Sequence, residues 1–143
     1  MFEIAAQPTI SDAERRHLLH FVVVGGGPTG IEFAAELHDL LESDMQRAYP
    51  SLVPFAAITI YDVAPKILAA FDEDLVEEAS KKFKRDGIRV KNEHHVEEVR
   101  EASLVVREEG EVPYGMLVWS TGLAPNPLIE SITELKRNPK THR

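Results

Sequence analysis

The chain contains no cysteine among its 143 residues. Without thiols it cannot carry a disulfide framework, a thiolate-bound metal or a redox-active cysteine pair. Basic residues are also few, because 16 Lys and Arg stand against 24 Asp and Glu, for a formal net charge of −8. Nucleic acids and anionic membranes attract clustered positive charge, so this balance argues against both as partners. A phosphate-bearing cofactor needs only a few local hydrogen-bond donors, so it is compatible with the negative net charge.

Long apolar runs are missing as well. The start, Met1-Phe2-Glu3, has neither the basic residues nor the apolar run of a secretory signal, so none is expected. The longest uncharged stretch, residues 112–129, contains three prolines and two glycines. A membrane span needs about 20 mostly apolar residues, so this stretch predicts a strand and a loop, and we expect a soluble chain. The length and the 43% hydrophobic share fit one globular domain.

Strands and helices are predicted to alternate along the first two-thirds of the chain. Short β-branched apolar runs predict strands at residues 21–24, 57–61 and 88–91. Capping signals and apolar periodicity predict helices at residues 12–17, 28–47 and 73–85. After the short first helix, this order gives a βαβαβ unit with a parallel sheet, and the predicted fold class is therefore Rossmann-like α/β.

The helix before the third strand has the clearest signals. Asp72 fits its N-cap and Gly87 its C′ position, where the backbone turns left-handed. Leu75, Ala79 and Phe83 form the predicted apolar stripe.

The chain changes character after residue 91. Residues 95–100, 104–107 and 117–121 are strand-like, with a turn at residues 109–111, and predict an antiparallel meander. The expected division is a lead-in segment with a short helix at residues 1–20, a nucleotide-binding domain at residues 21–124 and an exit segment at residues 125–143.

A glycine-rich sequence follows the first predicted strand and opens the first long helix. It matches G-x-G-x-x-G and consists of Gly25, Gly26, Gly27, Pro28, Thr29 and Gly30. Between a buried strand and a helix, this pattern indicates dinucleotide binding. Gly25 allows a tight turn, Gly27 lets a pyrophosphate approach the backbone, and Gly30 lets the helix pack close to the sheet. Because the helix N-terminus adds unpaired N–H groups, these residues form the predicted phosphate site.

Two acidic residues are candidates for further cofactor contacts. Asp62 follows the second predicted strand, where a carboxylate accepts hydrogen bonds from the adenosine ribose and repels a 2′-phosphate. The alternative is a solvated loop acid, and the nearby Lys66 would attract a phosphate. Glu32 lies early in the helix, where its charge would either complement the helix dipole or contact the nicotinamide, and the sequence favours neither role.

The six histidines do not suggest a metal site. His94 and His95 are adjacent in a predicted strand, so their side chains would point to opposite faces and could not share one ion. His17, His20 and His38 lack ligand spacing. No metal ligand is therefore predicted.

Three segments together resemble the type II NADH dehydrogenases, especially the mitochondrial enzymes of fungi. They are residues 21–38 (FVVVGGGPTGIEFAAELH), 61–66 (YDVAPK) and 114–125 (YGMLVWSTGLAP). The likeness extends over nearly the whole chain. It implies a parent enzyme that passes a hydride from NADH to FAD and electrons on to ubiquinone, without pumping protons. It also implies a mitochondrial enzyme held peripherally on the inner membrane.

The resemblance covers only the NADH-binding domain of such an enzyme, which is inserted into an FAD domain. The FAD fingerprint, the later flavin segment and the membrane-attaching region have no counterpart here. Thr121 and Gly122 would lie beside the nicotinamide and the flavin, although the segment also fits a plain loop after a strand. Asp62 stands where many members carry Glu, and its shorter reach weakens the expected preference for NADH over NADPH.

The sequence thus predicts a domain that binds NADH and presents its nicotinamide to a flavin held elsewhere. No catalytic side chain is assigned, because the cofactors carry the redox chemistry. Three alternatives stay open: the NAD(P)H domain of another two-dinucleotide flavoprotein reductase, an NAD(H)-sensing module without chemistry, and an FAD domain. The last needs a Gly-Asp motif after its final strand, and the chain offers only Asp86-Gly87 in reverse order.

Overall fold

The fold contains seven strands and five α-helices within residues 1–69 and 71–122, the part that this computed structural model describes. The helices are α1 (Phe2–Ala5), α2 (Asp12–Leu18), α3 (Pro28–Leu40), α4 (Gln46–Ala48) and α5 (Glu73–Arg85). The strands are β1 (His20–Val24), β2 (Ala57–Tyr61), β3 (Arg89–Lys91), β4 (Val96–Val99), β5 (Ser103–Val106), β6 (Gly110–Pro113) and β7 (Met116–Trp119). A π-helical turn (Leu41–Met45) joins α3 to α4, and a 3₁₀ turn (Val53–Phe55) precedes β2.

A parallel sheet of order β3-β2-β1-β7 forms the centre of the fold. β1 pairs in parallel with β2 on one side and with β7 on the other. The chain therefore builds the sheet outward from β1 to β3 and then returns to the opposite side of β1. In such sheets, ligands bind at the carboxyl ends of the strands where the order reverses. Here that place lies between β1 and β7.

The strand β1 is covered on both faces, as its apolar run predicts. Phe21 and Val23 belong to the core under the helices, whereas Val22 and Val24 belong to a second cluster with Leu104. Alternate residues of a strand point to opposite faces. The helices therefore cover one face of the parallel sheet and the β4–β6 sheet covers the other, which confirms the predicted α/β fold.

The antiparallel sheet differs in detail from the predicted meander. Its order is β4-β5-β6, and its third strand is formed by Gly110–Pro113, which the sequence predicted to begin as a turn. The predicted third strand at residues 117–121 is instead β7, which pairs in parallel with β1. The prediction was wrong because periodicity identifies a strand but not its partner. In β7, Met116 and Val118 pack against one cluster and Leu117 against the other, whereas β6 contributes only Val112 to a cluster.

The helix signals predict most of what is observed. The capping box at Ser11 and Glu14 is complete, and Gly87 takes a left-handed φ of +75° just after α5. One detail of α5 was wrong. Val76 and Phe83 are buried, whereas Leu75 is 47% exposed. Ala79 and Phe83 belong to the buried face as predicted, but its first residue is Val76 rather than Leu75.

The first 20 residues are packed onto the domain. Ala5 and Leu19 are fully buried in the main cluster, and the Arg15 side chain donates a hydrogen bond to the carbonyl of Ala5. The predicted boundaries at residues 20 and 124 remain predictions. The exit segment, residues 125–143, lies outside the described residues.

Candidate functional site

Three strand ends meet where the sheet order reverses. Gly25 follows β1, Asp62 follows β2 and Ser120 follows β7. The N–H of Gly25 donates to the carbonyl of Tyr61 at 2.8 Å, and the N–H of Ser120 donates to the carbonyl of Val24 at 2.9 Å. These bonds continue the ladders of the sheet by one residue, so the three residues are fixed relative to one another.

The glycine sequence makes a turn in which Gly25 and Gly30 leave the least room for a side chain. Gly25 has a φ of +116°, which favours glycine strongly. At Gly30, a built Cβ would overlap the carbonyl oxygen of Gly25 and stand 2.6 Å from the Ser120 hydroxyl. Gly30 therefore lets α3 approach the strand ends closely, the role that the sequence predicts for it.

Gly27 has the opposite surroundings. It is the N-cap residue of α3, and a Cβ built on it would have no atom within 4 Å. Pro28 and Thr29, the first two residues of the helix, are exposed. No side chain caps the backbone N–H groups at the start of this helix. Such a terminus, with its partial positive charge, suits an anion such as a phosphate.

Asp62 contacts the backbone of the same turn. One carboxylate oxygen accepts a hydrogen bond from the N–H of Gly26, and the other accepts one from the N–H of Ala64 at 2.7 Å. The carbonyl of Gly26 in turn accepts the N–H of Leu68 at 2.8 Å. The loop after β2 is therefore fastened to the glycine turn through both backbone groups of Gly26.

Two cavities meet at Asp62. The glycine cavity, about 230 Å³, is lined by Gly26, Gly27, Pro28, Asp62, Ala64, Lys66, Leu68, Ala69 and Phe71. The meander cavity, about 200 Å³, is lined by Val24, Gly25, Tyr61, Asp62, Val63, His94, Val96, Trp119 and Thr121. Together they follow the carboxyl edge of the sheet from β2 to β7, an extended shape that suits a dinucleotide better than a compact ligand.

A larger cavity of about 420 Å³ lies elsewhere, between α1, α3 and the amino ends of β1 and β7. Its lining is apolar except for Glu36. Specific ligand sites combine apolar walls with a few convergent polar groups. The smaller pair of cavities meets that description better, so we assign the candidate site to them.

Sequence reasoning missed several residues that line or support the meander cavity. The aromatic rings of Tyr61 and His94 lie 5.9 Å apart, and Trp119 is 54% exposed at the end of β7. The Ser120 hydroxyl lies 3.1 Å from the carbonyl of Val24 and 3.3 Å from that of Gly25, and it donates there. Only the pairing of β7 with β1 brings Trp119 and Ser120 to the glycine turn, which no local signal could reveal.

A polar cluster joins the β5–β6 turn to the floor of this cavity. The Tyr61 hydroxyl donates to the Glu109 carboxylate at 2.9 Å, and the Lys91 ammonium lies 2.7 Å from the same group. Burial raises the pKa of Tyr61 well above its usual range, and the Glu109 carboxylate adds to that effect. The hydrogen bond from Lys91 is the main cause that lowers the pKa of Glu109. The cluster thus holds Tyr61 as a neutral donor.

The remaining predicted residues lie in three different settings. Thr121 lines the meander cavity, and Gly122 follows it with a φ of +84°. Glu32 is exposed on α3, so its two interpretations stay open. Lys66 lines the glycine cavity, and its ammonium lies 3.0 Å from the Glu73 carboxylate.

The histidines have separate partners. His94 and His95 lie just before β4 rather than within it, and their nearest acids are Glu109 at 3.3 Å and Glu108 at 2.8 Å, respectively. Within residues 1–69 and 71–122, no group of three His, Asp or Glu residues is placed to hold a metal ion. The same residues contain no helix with the length and apolarity needed to cross a membrane.

Comparisons with known proteins show which family this chain is similar to. Residues 3–140 match the family described as pyridine nucleotide-disulphide oxidoreductase. A mitochondrial external alternative NAD(P)H-ubiquinone oxidoreductase, B2, of Arabidopsis thaliana is 47% identical over 90% of this chain and 23% of its own length. A probable mitochondrial NADH-ubiquinone oxidoreductase of Schizosaccharomyces pombe is 36% identical over 92% of this chain and 26% of its own.

The fold also matches a solved structure. NDH2 of Plasmodium falciparum, solved in complex with NADH, superposes with a TM-score of 0.84 and 30% identity over 90% of this chain and 27% of that one. These matches confirm the resemblance to type II NADH dehydrogenases, and they extend it from fungi to plants. The chain spans only about a quarter of the length of these relatives. Because the family match covers nearly all of its residues, the chain belongs to the pyridine nucleotide-disulphide oxidoreductases.

Proposed function

We propose that this chain is the NADH-binding domain of a flavin-dependent NADH:ubiquinone oxidoreductase. The observation that carries the proposal is the open backbone at Gly27. It lies at the N-terminus of α3, beside Asp62, where the sheet order reverses. At Gly30 a Cβ would overlap the carbonyl oxygen of Gly25, whereas a Cβ at Gly27 would meet no atom within 4 Å, so a ligand can approach the backbone at Gly27.

The pyrophosphate of NADH would lie over Gly27. A Cβ on Gly27 would meet no atom within 4 Å, and the N–H groups at the start of α3, which no side chain caps, would donate to its oxygens. Each charge at a helix terminus contributes about 0.3–1 kcal/mol, and up to about 2 kcal/mol when partly buried. Pro28 supplies no N–H, but it fixes the backbone at the first helical position.

The adenosine half would lie toward Asp62. Each oxygen of that carboxylate already accepts one backbone hydrogen bond. Because a carboxylate offers about four lone-pair sites, it can still accept bonds from the two ribose hydroxyls. Asp62 would therefore hold the ribose and the glycine turn at the same time.

The nicotinamide half would extend toward the end of β7. Thr121 lines the meander cavity there, and Gly122 follows it with a left-handed φ. The dinucleotide supplies the hydride that a flavin accepts, so this chain needs to supply only position and exclusion of water. Thr121 and Gly122 are the residues that we assign to the face shared with the flavin.

The rest of the parent protein follows from its relatives. We propose that an FAD domain contacts this domain, with residues 21–124 as the NADH-binding unit and the flanking segments leading to and from it. Relatives named as mitochondrial NAD(P)H-ubiquinone oxidoreductases support ubiquinone as the final acceptor and a mitochondrial location. The peripheral attachment to the inner membrane is part of the same proposal.

Binding without turnover tests this function. The purified chain should be colourless and should bind NADH saturably in a calorimetric or fluorescence titration. It should not reduce a quinone analogue, because it holds no flavin. A yellow protein with a flavin absorption spectrum would show that the domain assignment is wrong, and a chain that binds no dinucleotide would contradict the proposal as a whole.

A further inference from the structure

The loop after β2 carries one cation that faces the candidate site from an anchored backbone. Lys66 precedes Ile67, whose side chain is 1% exposed, and Leu68, whose N–H donates to the carbonyl of Gly26. The position of the Lys66 backbone is therefore fixed relative to the glycine turn. Its side chain is long and 61% exposed, so the ammonium can move between different partners while the backbone stays in place.

Lys66 borders two cavities, and its partner belongs to only one of them. It lines the glycine cavity with Asp62, and it also lines a helix cavity of about 360 Å³ with Glu73, Ser80 and Asn92. The Glu73 carboxylate, at the first position of α5, lies 3.0 Å from the Lys66 ammonium. This ion pair draws the positive charge toward α5 and away from Asp62 and the glycine turn.

We propose that the Lys66–Glu73 ion pair sets part of the preference for NADH over NADPH, an inference that rests on the function proposed above. The two cofactors differ by one 2′-phosphate on the adenosine ribose, which carries about −1.5 to −2 charges at neutral pH. In the glycine cavity that phosphate would meet the Asp62 carboxylate. Glu73 competes with that phosphate for Lys66, the lysine that lines the cavity.

When the Glu73 charge is removed, two rearrangements of Lys66 would favour the 2′-phosphate. The ammonium can turn into the glycine cavity and contact the phosphate directly. It can also pair with Asp62 and reduce the repulsion between that carboxylate and the phosphate. Since exposed ion pairs and single surface charges are worth up to about 1 kcal/mol, the NADPH affinity should improve about two- to five-fold.

The test measures dissociation constants for NADH and NADPH with the whole chain and three variants: Glu73→Gln, Lys66→Gln and the double variant. Glu73→Gln should lower the ratio of the NADPH to the NADH dissociation constant about two- to five-fold. In the double variant the ratio should return to that of Lys66→Gln, because the gain acts through the lysine. The gain should also shrink at about 0.5–1 M salt, where the screening length falls to a few ångströms.

A matched control separates the ion pair from the general charge of the helix. Asp74 lies beside Glu73 in the first turn of α5. Asp74→Asn removes one charge from the same turn and leaves the Lys66–Glu73 pair in place, so it should change the ratio by less than Glu73→Gln does.

Two results would overturn the inference while leaving the proposed function intact. One is an equal change of the ratio in Glu73→Gln and Asp74→Asn. The other is a gain in NADPH affinity that persists in the double variant. An unmodified chain that binds neither nucleotide would be a different result, because it would contradict the proposed function itself.

Discussion

The carboxylate of Asp62 accepts a hydrogen bond from the N–H of Gly26, so one side chain joins the end of β2 to the turn after β1. The sequence predicts Asp62 as a ribose ligand, and its position is compatible with that role. The structure adds a second role that needs no cofactor. A variant at this position therefore changes both the charge near the ribose and the support of the glycine turn.

Replacement of Asp62 by Asn should narrow the difference in affinity between NADH and NADPH. The amide removes the negative charge that opposes a 2′-phosphate, but it offers one oxygen for the two N–H groups of Gly26 and Ala64. One of these donors would face an NH₂ group, which we expect to cost about 1–2 kcal/mol of unfolding free energy. Titrations with both cofactors and urea unfolding measure the two effects separately.

Asp62→Glu is the control for that experiment because it keeps the charge. It should retain the preference for NADH, even if the longer side chain loosens the contact with Gly26. If the unmodified protein bound both cofactors equally and Asp62→Asn changed neither affinity, Asp62 would be a structural residue without a role in cofactor choice.

Gly27 and Gly30 should respond to substitution in opposite ways. Gly27→Val places a side chain in the open space assigned to the pyrophosphate, so NADH binding should fall by at least tenfold while the domain stays folded. The poorer N-cap costs about 1 kcal/mol. Gly30→Ala forces a Cβ against the carbonyl of Gly25 and should destabilise the fold by about 1–3 kcal/mol or more.

Thermal melts and NADH titrations of both variants check this contrast. An unchanged NADH affinity in Gly27→Val would contradict the assignment of the glycine turn to the pyrophosphate. A Gly30→Ala protein as stable as the parent would mean that α3 can move away from the strand ends, which would remove the reason for glycine there.

Ser120→Ala should weaken the junction between β7 and the glycine turn. The hydroxyl donates toward the carbonyls of Val24 and Gly25 from a partly buried position. A neutral hydrogen bond of this kind contributes about 0.5–1.5 kcal/mol, and unfolding free energies should fall by that amount. Ser103→Ala is a useful comparison, because it removes an exposed hydroxyl that bonds to Glu111 in the β4–β6 sheet. It should change the stability less and leave NADH affinity unchanged.

Stability should decrease on mild acidification because of His20. Its Nδ1–H donates to the carbonyl of Pro113 at 2.7 Å, and its Nε2 accepts from the Thr59 hydroxyl at 2.8 Å. Burial lowers the pKa of His20, with Arg89 and His17 adding smaller effects in the same direction. The unfolded chain therefore binds a proton more readily than the folded one. The stability that neutral His20 gives to the folded state is fully present above the unfolded pKa of about 6.5. This stability is lost as the pH falls from about 6.5 toward the pKa of His20 in the folded state.

Urea unfolding at several values between pH 7.5 and 5 measures this loss, with His20→Asn as the control. Asn can keep a hydrogen bond to the Pro113 carbonyl but does not titrate. The slope of stability against pH should be smaller in the variant. Carboxylates with lowered pKa values, such as Glu108 at about 2, act at lower pH and do not enter this window. Identical slopes in the two proteins would show that His20 does not contribute.

Local sequence signals predict most of the individual elements. The Ser11–Glu14 capping box, the strand before Gly25 and the left-handed Gly87 depend on residues close together in the chain. The free energy of each of these features comes from a single turn, strand or helix end, so neighbouring residues are enough to predict it. The same reasoning identifies the glycine turn and Asp62 as the centre of the candidate site before any tertiary contact is known.

The tertiary structure decided which strands become neighbours and which residues complete the site. Residues 116–119 and 110–113 are both short strands, and nothing within either indicates that the first pairs with β1 and the second with β5. That choice depends on burial against two layers at once, a property of the assembled sheet. Its consequence is the approach of Ser120 to the glycine turn, and the pairing of β2 with β1 likewise brings Asp62 to Gly26. Neighbouring residues thus account for the elements and for the chemistry of the glycine turn, whereas the surroundings of that turn come from strands that pair across long stretches of chain.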